Sequence, residues 1–261
     1  RLLTASAVGL GGVASFFGPW AHNRLWAQAA TPKPLVIGLT MDASGQYAAS
    51  GGEERLGAMM AIKEFNDRGG VLGRRIEAIH MDTETTPATG SRVAERMITR
   101  NEAAFLIGAL HSGVANAISQ VAQKYGCIFL NTNSSSPTEA GKDCHRVKFV
   151  WDGNGSNFAH AIVKNAMRVN GNQWVLLTND YVWGHNTSKA TRAIVEANGG
   201  KIIEELLVPQ NTRDFSSYLL KLQQLKPNAV AAAVGGDDIK ALRQQVVQLG
   251  LQKNMAWINN Q

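Results

Sequence analysis

The strongest constraint on this chain is an alternation, kept up from residue 35 to residue 258, of apolar runs four to eight residues long with longer amphipathic stretches. The runs fall at residues 35–40, 75–81, 104–108 and 127–131, and again at 174–178, 201–208, 229–234 and 255–258. A strand buried on both faces loses its polar–apolar alternation and reads as a continuous apolar run. Parallel neighbours, in turn, must be joined by a crossover long enough to hold a helix. The intervening stretches fit that role: Val114, Ile118, Val121 and Tyr125 share one helical face, as do Ile239, Leu242, Val246 and Leu249. Gly69-Gly70, Gly126 and Gly199-Gly200 follow helical stretches, where a left-handed cap turns the chain into the next strand. The pattern predicts an α/β fold of two doubly wound parallel-sheet lobes.

The division between the lobes is expected near residues 149–155, where a strand-like segment (147–151) runs into Asp152-Gly153-Asn154-Gly155. This gives a first lobe over 31–150, a hinge, and a second lobe over 151–261. The second lobe breaks off just after a strand and is expected to be incomplete. Ahead of the first strand, residues 2–20 carry no charge and lead to Trp26-Ala27-Gln28-Ala29-Ala30, a small-x-small pattern. Residues 1–30 therefore read as a signal peptide cut near Ala29 or Ala30, which marks the mature chain for export. Gly9, Gly11, Gly12 and Pro19 interrupt the run, which falls short of the roughly 20 apolar residues that span a bilayer. Arg24 leaves the general and twin-arginine export routes both open.

Composition excludes more than it assigns. Removing Arg1 and Arg24 with the signal leaves 24 basic residues against 20 acidic ones, about +4 in place of +6. The basic residues are scattered singly along helical stretches, the mark of solvated faces, and no basic run is interleaved with aromatics as nucleic-acid binding would require. His80, His111, His145 and His185 show no metal-protease spacing, and there is no phosphate-cradling glycine loop or nucleophile elbow. The carboxylate pairs Glu53-Glu54 and Asp82 with Glu84 are explained by a helix start and a strand-end turn. No enzyme hypothesis has a positive feature in the sequence, and neither a metal nor a cofactor is expected.

The segment Phe65-Asn66-Asp67-Arg68-Gly69-Gly70-Val71-Leu72-Gly73-Arg74, followed by a strand and Asp82, resembles the signature of the Leu/Ile/Val-binding protein family of periplasmic solute receptors. The resemblance continues through Ile107 to Ser112, Asn133 to Pro137, Asp180 to Gly184, and Asp214-Phe215-Ser216, in the family's order and spacing. It implies a type I periplasmic binding fold whose two lobes close over a small-molecule solute. It also implies delivery to ABC permease subunits in the inner membrane, a monomeric receptor, and a complete protein longer by roughly a hundred residues or more. The solute class it implies is branched-chain or other amino acids, or a similar polar compound such as an amide, a urea-like molecule or an aromatic acid. An extracytoplasmic sensor for a membrane signalling partner is the alternative on the same fold.

Several residues are candidates for the site, because ligands of doubly wound sheets bind at the carboxyl ends of the strands. Ser112 opens a helix after the strand at 104–108, so it is either an N-cap or a carboxylate contact beside free backbone N–H groups. The family match favours the contact. Asn133 and Ser135 match the family's loop for the ligand's carboxylate and amine, and a plain Ser-rich turn is the other reading. In the loop at 43–52, Tyr47 and Ser50 compete for one position. Trp183 stands at the family's aromatic position before Gly184, as a platform for the ligand or as core. Asp237 either caps a helix or meets an ammonium or amide. Cys127 and Cys144 form either a bridge, as the periplasm permits, or two free thiols.

Overall fold

The computed structural model describes residues 32–259, so the expected signal segment, with Ala29 and Ala30, lies outside the described residues. The first five strands are β1 (Leu35–Leu39), β2 (Ile76–His80), β3 (Phe105–Gly108), β4 (Ile128–Asn131) and β5 (Lys148–Val150). Between them run α1 (Ala48–Asp67), α2 (Pro87–Thr99) and α3 (Ser112–Tyr125). Then follow α4 (Gly155–Asn170), β6 (Gln173–Asn179), α5 (Val182–Ala197), β7 (Lys201–Val208), α6 (Ser216–Leu225), β8 (Ala229–Ala233), α7 (Gly236–Gln248) and β9 (Ala256–Asn259). Every strand read from the apolar runs is present, with ends within one residue of the expected ones. Among the described residues no helix is long and apolar enough to cross a membrane.

The strands form two sheets, ordered β2-β1-β3-β4-β5 and β7-β6-β8-β9, with every pair parallel. The second sheet repeats the order of the first, β6 standing where β1 does and β8 where β3 does. Each sheet therefore has one point where successive connections leave in opposite directions, between β1 and β3 and between β6 and β8. A crevice opens there at the carboxyl ends of the strands. Residues 151–154 link β5 to α4 and so join the two sheets.

Alternation along β6 shows how the second core is built. Trp174 and Leu176 point to one face, against Ala159, Val163 and Met167 of α4 and Val195 of α5. Val175 and Leu177 point to the other, against Leu219 and Leu222 of α6 and Leu242 and Val246 of α7. In the first sheet Leu106 and Phe129 pack under α2 and α3 with Met97, Val114 and Ile118. Gly126 ends α3 at φ 68°, the left-handed cap that its position in the sequence requires. Of the two readings of Cys127 and Cys144, a bridge or two free thiols, the structure shows free thiols. Cys127 is buried with its Sγ against the Ala103 and Ala104 carbonyls at 3.7 and 3.6 Å, while Cys144 is exposed, and both are free.

Candidate functional site at the meeting of the two sheets

Two glycines set the geometry of the crevice. A Cβ on Gly51 would come within 2.0 Å of the Asp42 carbonyl oxygen, and one on Gly184 within 2.0 Å of the Asn179 carbonyl oxygen. Only glycine lets α1 and α5 start flush against the ends of β1 and β6. Tyr47 and Tyr181, the residues immediately before these helices, are thereby aimed at each other, and their hydroxyls meet at 2.5 Å. His111 stacks on Tyr181 with ring centroids 4.4 Å apart, Trp183 stacks on the Tyr181 ring at 5.9 Å, and Tyr47 meets His111 edge-on at 6.3 Å. Leu110 and Ala233 close this small apolar cluster between the lobes.

His111, not Ser112, is the N-cap of α3: its Nδ1 accepts from the backbone N–H groups of Gly113 and Val114 at 3.1 and 3.4 Å. A ring nitrogen that accepts carries no proton, so the neutral ring holds its proton on Nε2 and donates to Gln210 Oε1 at 3.1 Å. Burial pushes the imidazole down to about 4, against the opposing pull of the Gln210 hydrogen bond. Two of the N–H groups expected to be free at this helix start are thus already taken.

Ser112 is fully buried, and its Oγ accepts the backbone N–H of Trp183 at 3.0 Å, a bond between the two lobes. The pair proposed for opposite sides of one site is therefore in direct contact. Trp183 is 3% exposed, and its indole N–H has no partner among the described residues. Ser135 also faces the second lobe: its carbonyl accepts the N–H of Gly155 at 3.0 Å, and the neighbouring Ser136 Oγ accepts from Asn186 Nδ2 at 3.1 Å. Asn133, by contrast, is exposed on the outer side of this loop. Of the two candidates in the first loop, Tyr47 reaches the lobe contact, and Ser50 lies half-buried in the first turn of α1.

The loop carrying Ser134, Ser135 and Ser136 is held from beneath. Asn131 Nδ2 donates to Glu139 Oε2 at 2.6 Å and to the Ser134 carbonyl at 3.0 Å, Ser134 Oγ donates to Glu139, and Lys148 Nζ lies 3.5 Å from Glu139 Oε2. Glu139 is completely buried, and burial pushes its carboxyl up to about 7 against the opposing pull of Ser134 and Lys148.

On the second lobe the acidic residue turned inward is Asp238, not the expected Asp237. The Asp237 carboxylate faces Lys240 at 3.1 Å and Arg213 at 3.7 Å, and only its backbone N–H reaches the first lobe, donating to the Gln46 carbonyl at 2.9 Å. Neighbouring residues in a helical first turn point about 100° apart, and Asp237, which the sequence left as either a cap or an amine contact, takes the outer position. Asp238 is fully buried and receives Gln46 Nε2 and Asn179 Nδ2, each at 3.2 Å; desolvation raises its carboxyl above the usual range. Gln46 Nε2 also donates to the Gly235 carbonyl at 3.0 Å and Asn179 Oδ1 at 3.3 Å. Three acceptors thus converge on one NH2 group supplied by the first lobe. Gln46, His111, Asn179, Tyr181 and Asp238 were not among the sequence candidates. The repeated strand–loop–helix unit was the signal for them, since 179–181 occupies in the second sheet the place of 42–47 in the first. Among the described residues no three His, Cys, Asp or Glu side chains gather as a metal site.

Comparison with known proteins fits this geometry. The family described as periplasmic binding protein matches residues 34–259. The Leu/Ile/Val-binding protein homolog 4 of Brucella abortus is 23% identical over 241 residues, which is 88% of this chain and 58% of that protein. A crystal structure of a periplasmic binding protein from Burkholderia mallei superposes with a TM-score of 0.78 at 28% identity, covering 86% of this chain and 60% of that one. A solute-binding protein of an ABC transporter from Rhodopseudomonas palustris, in complex with 3,4-dihydroxybenzoic acid, gives a TM-score of 0.80 at 22% identity over 87% of this chain and 61% of that one. The chain thus spans about 60% of the length of these relatives.

Proposed function

The chain belongs to the periplasmic binding protein family, and from that premise we propose that it is the solute receptor of an ABC uptake system, acting as a monomer in the periplasm. The observation that carries this reading is the bond between Ser112 Oγ and the Trp183 N–H, because it joins residues at the strand ends of two different sheets. A solute entering between the lobes competes for that bond: Ser112 and the Ser135 loop face it from one side, Trp183 and the Asp238 socket from the other. Closure about residues 151–154 then lets both lobes contribute contacts that neither makes alone.

The chemistry around the contact supports a small solute with a planar or apolar body and a polar end. Tyr47, His111, Tyr181 and Trp183 supply ring faces, whereas Asn179, the Gly235 carbonyl and Asp238 supply acceptors suited to an amine or amide. Amino acids and aromatic acids both meet that description, and the Brucella and Rhodopseudomonas relatives are named for one of each. A thermal-shift screen of the full-length mature protein against amino acids, amides, urea-like compounds and aromatic acids tests the proposal. A true solute at a hundred times its Kd adds about 2.7 kcal/mol. The proposal fails if no compound in these classes raises the midpoint, or if Ser112→Ala and Trp183→Ala proteins respond as wild type does.

A further inference from the structure

Basic residues that look scattered along the sequence come together on α2. Arg92 and Arg96 lie on α2 and Arg100 is its C-cap; spaced four apart, the three follow one face of the helix about 6 Å from one another along its axis. All three are exposed, and they line one side of a groove of about 670 Å³ with Met81, Val93 and Thr99. Among the described residues none of the three guanidinium groups pairs with a carboxylate. Arg92 only donates to Thr89 Oγ1 at 3.3 Å.

The acidic residues of the same groove are already engaged. Asp82 accepts the backbone N–H groups of Ala43, Ser44 and Glu84 and the Ser44 hydroxyl; Glu84 accepts from Thr89; Glu95 accepts from Lys124 and Tyr125. The groove therefore holds three uncommitted cations beside three carboxylates held by neighbours on the same lobe.

We propose that this groove docks an extended acidic segment of a membrane partner protein, a proposal that rests on the receptor reading above. Side chains on one face of an extended strand repeat at roughly 6.6–6.8 Å, close to the spacing of the arginines, so carboxylates at every second residue would meet successive guanidinium groups. The interleaved Asp82, Glu84 and Glu95 oppose a uniformly anionic surface, such as a lipid bilayer or a nucleic acid, more than a peptide whose charges fall at discrete points.

The test uses the full-length receptor and a fluorescein-labelled octapeptide of alternating Glu and Ser, followed by fluorescence anisotropy at low ionic strength. Saturable binding is expected to weaken at least tenfold in R92Q/R96Q/R100Q and with added salt. A Lys-for-Glu peptide is expected not to bind, and the control K164Q/K189Q, altered at exposed positions on the second lobe, to bind as wild type does. Absence of binding, or equal binding by the triple variant, overturns the proposal. Tighter binding of phosphatidylglycerol vesicles or duplex DNA through the same arginines overturns it as well. The solute-dependent thermal shift is read on the same proteins. A shift that persists in R92Q/R96Q/R100Q while peptide binding is lost separates docking from solute recognition, and a shift missing from every protein marks failure of the receptor reading instead.

Discussion

Acidification should loosen the meeting of the two lobes through His111. Its ring is 3% exposed, lies against Tyr181, and uses Nδ1 as an acceptor toward α3 and Nε2 as a donor toward Gln210. A second proton on Nδ1 removes the acceptor that caps the helix and places a cation at the positive end of the α3 dipole. The folded group titrates at about 4 and the solvated one at 6.5, so below pH 6.5 the exposed form takes up a proton that the buried form refuses. The stabilisation is whole above pH 6.5 and is lost as pH falls toward 4. At pH 5 the difference is about 2 kcal/mol. The comparison to make is wild type against His111→Asn, since Asn keeps a capping acceptor and does not titrate. Desolvation also raises the carboxyls of Asp42, Glu54, Glu139 and Asp238, and the comparison cancels their contribution. Chemical denaturation between pH 4 and 7.5, with small-angle scattering to follow the separation of the lobes, should show wild type losing about 2 kcal/mol more than the variant by pH 5. Parallel pH profiles for the two proteins, or a His111 titration by NMR at or above 6.5, would refute the argument.

Other perturbations follow from the same contacts. Gln46→Ala removes the NH2 group that satisfies Asp238 and the Gly235 carbonyl. It should weaken the closed arrangement by about 2–3 kcal/mol, seen as a larger radius of gyration in scattering. Glu54 is raised to about 7 by burial and by the charge of Asp42, so its contribution is full below about pH 4.5 and is lost as pH rises through 7. Glu54→Gln should accordingly be more stable than wild type by about 2–3 kcal/mol at pH 8.5 and match it near pH 4.5. Denaturant midpoints at the two pH values check this. At pH 8.5, where the Glu139 carboxyl is ionised, Glu139→Gln leaves the Lys148 ammonium buried without its counter-ion and should cost about 3–5 kcal/mol, much of it recovered in E139Q/K148M. Amide hydrogen exchange at Ser134 and Ser136 should accelerate in the single variant more than in the double.

The positions of the strands, their parallel pairing and the division into two sheets were legible in the sequence. Burial on both faces writes itself as an apolar run, and the crossover length leaves a parallel arrangement as the economical one. Gly126 was legible too, since a left-handed cap tolerates little else, whereas the close helix–strand contact at Gly184 appeared only in the structure. What the tertiary structure decided is which side chains at those strand ends face one another. Ser112 and Trp183 are 71 residues apart, and Gln46 and Asp238 are 192 apart; no local periodicity records either pairing. The choice of Asp238 over Asp237, and of His111 over Ser112 as cap, turns on a single step along a helix start. That step, about 100° of rotation, acquires a meaning only when the other lobe is in place. The same holds for Arg92, Arg96 and Arg100: their spacing is in the sequence, but that their acidic neighbours are already engaged is a property of the fold alone.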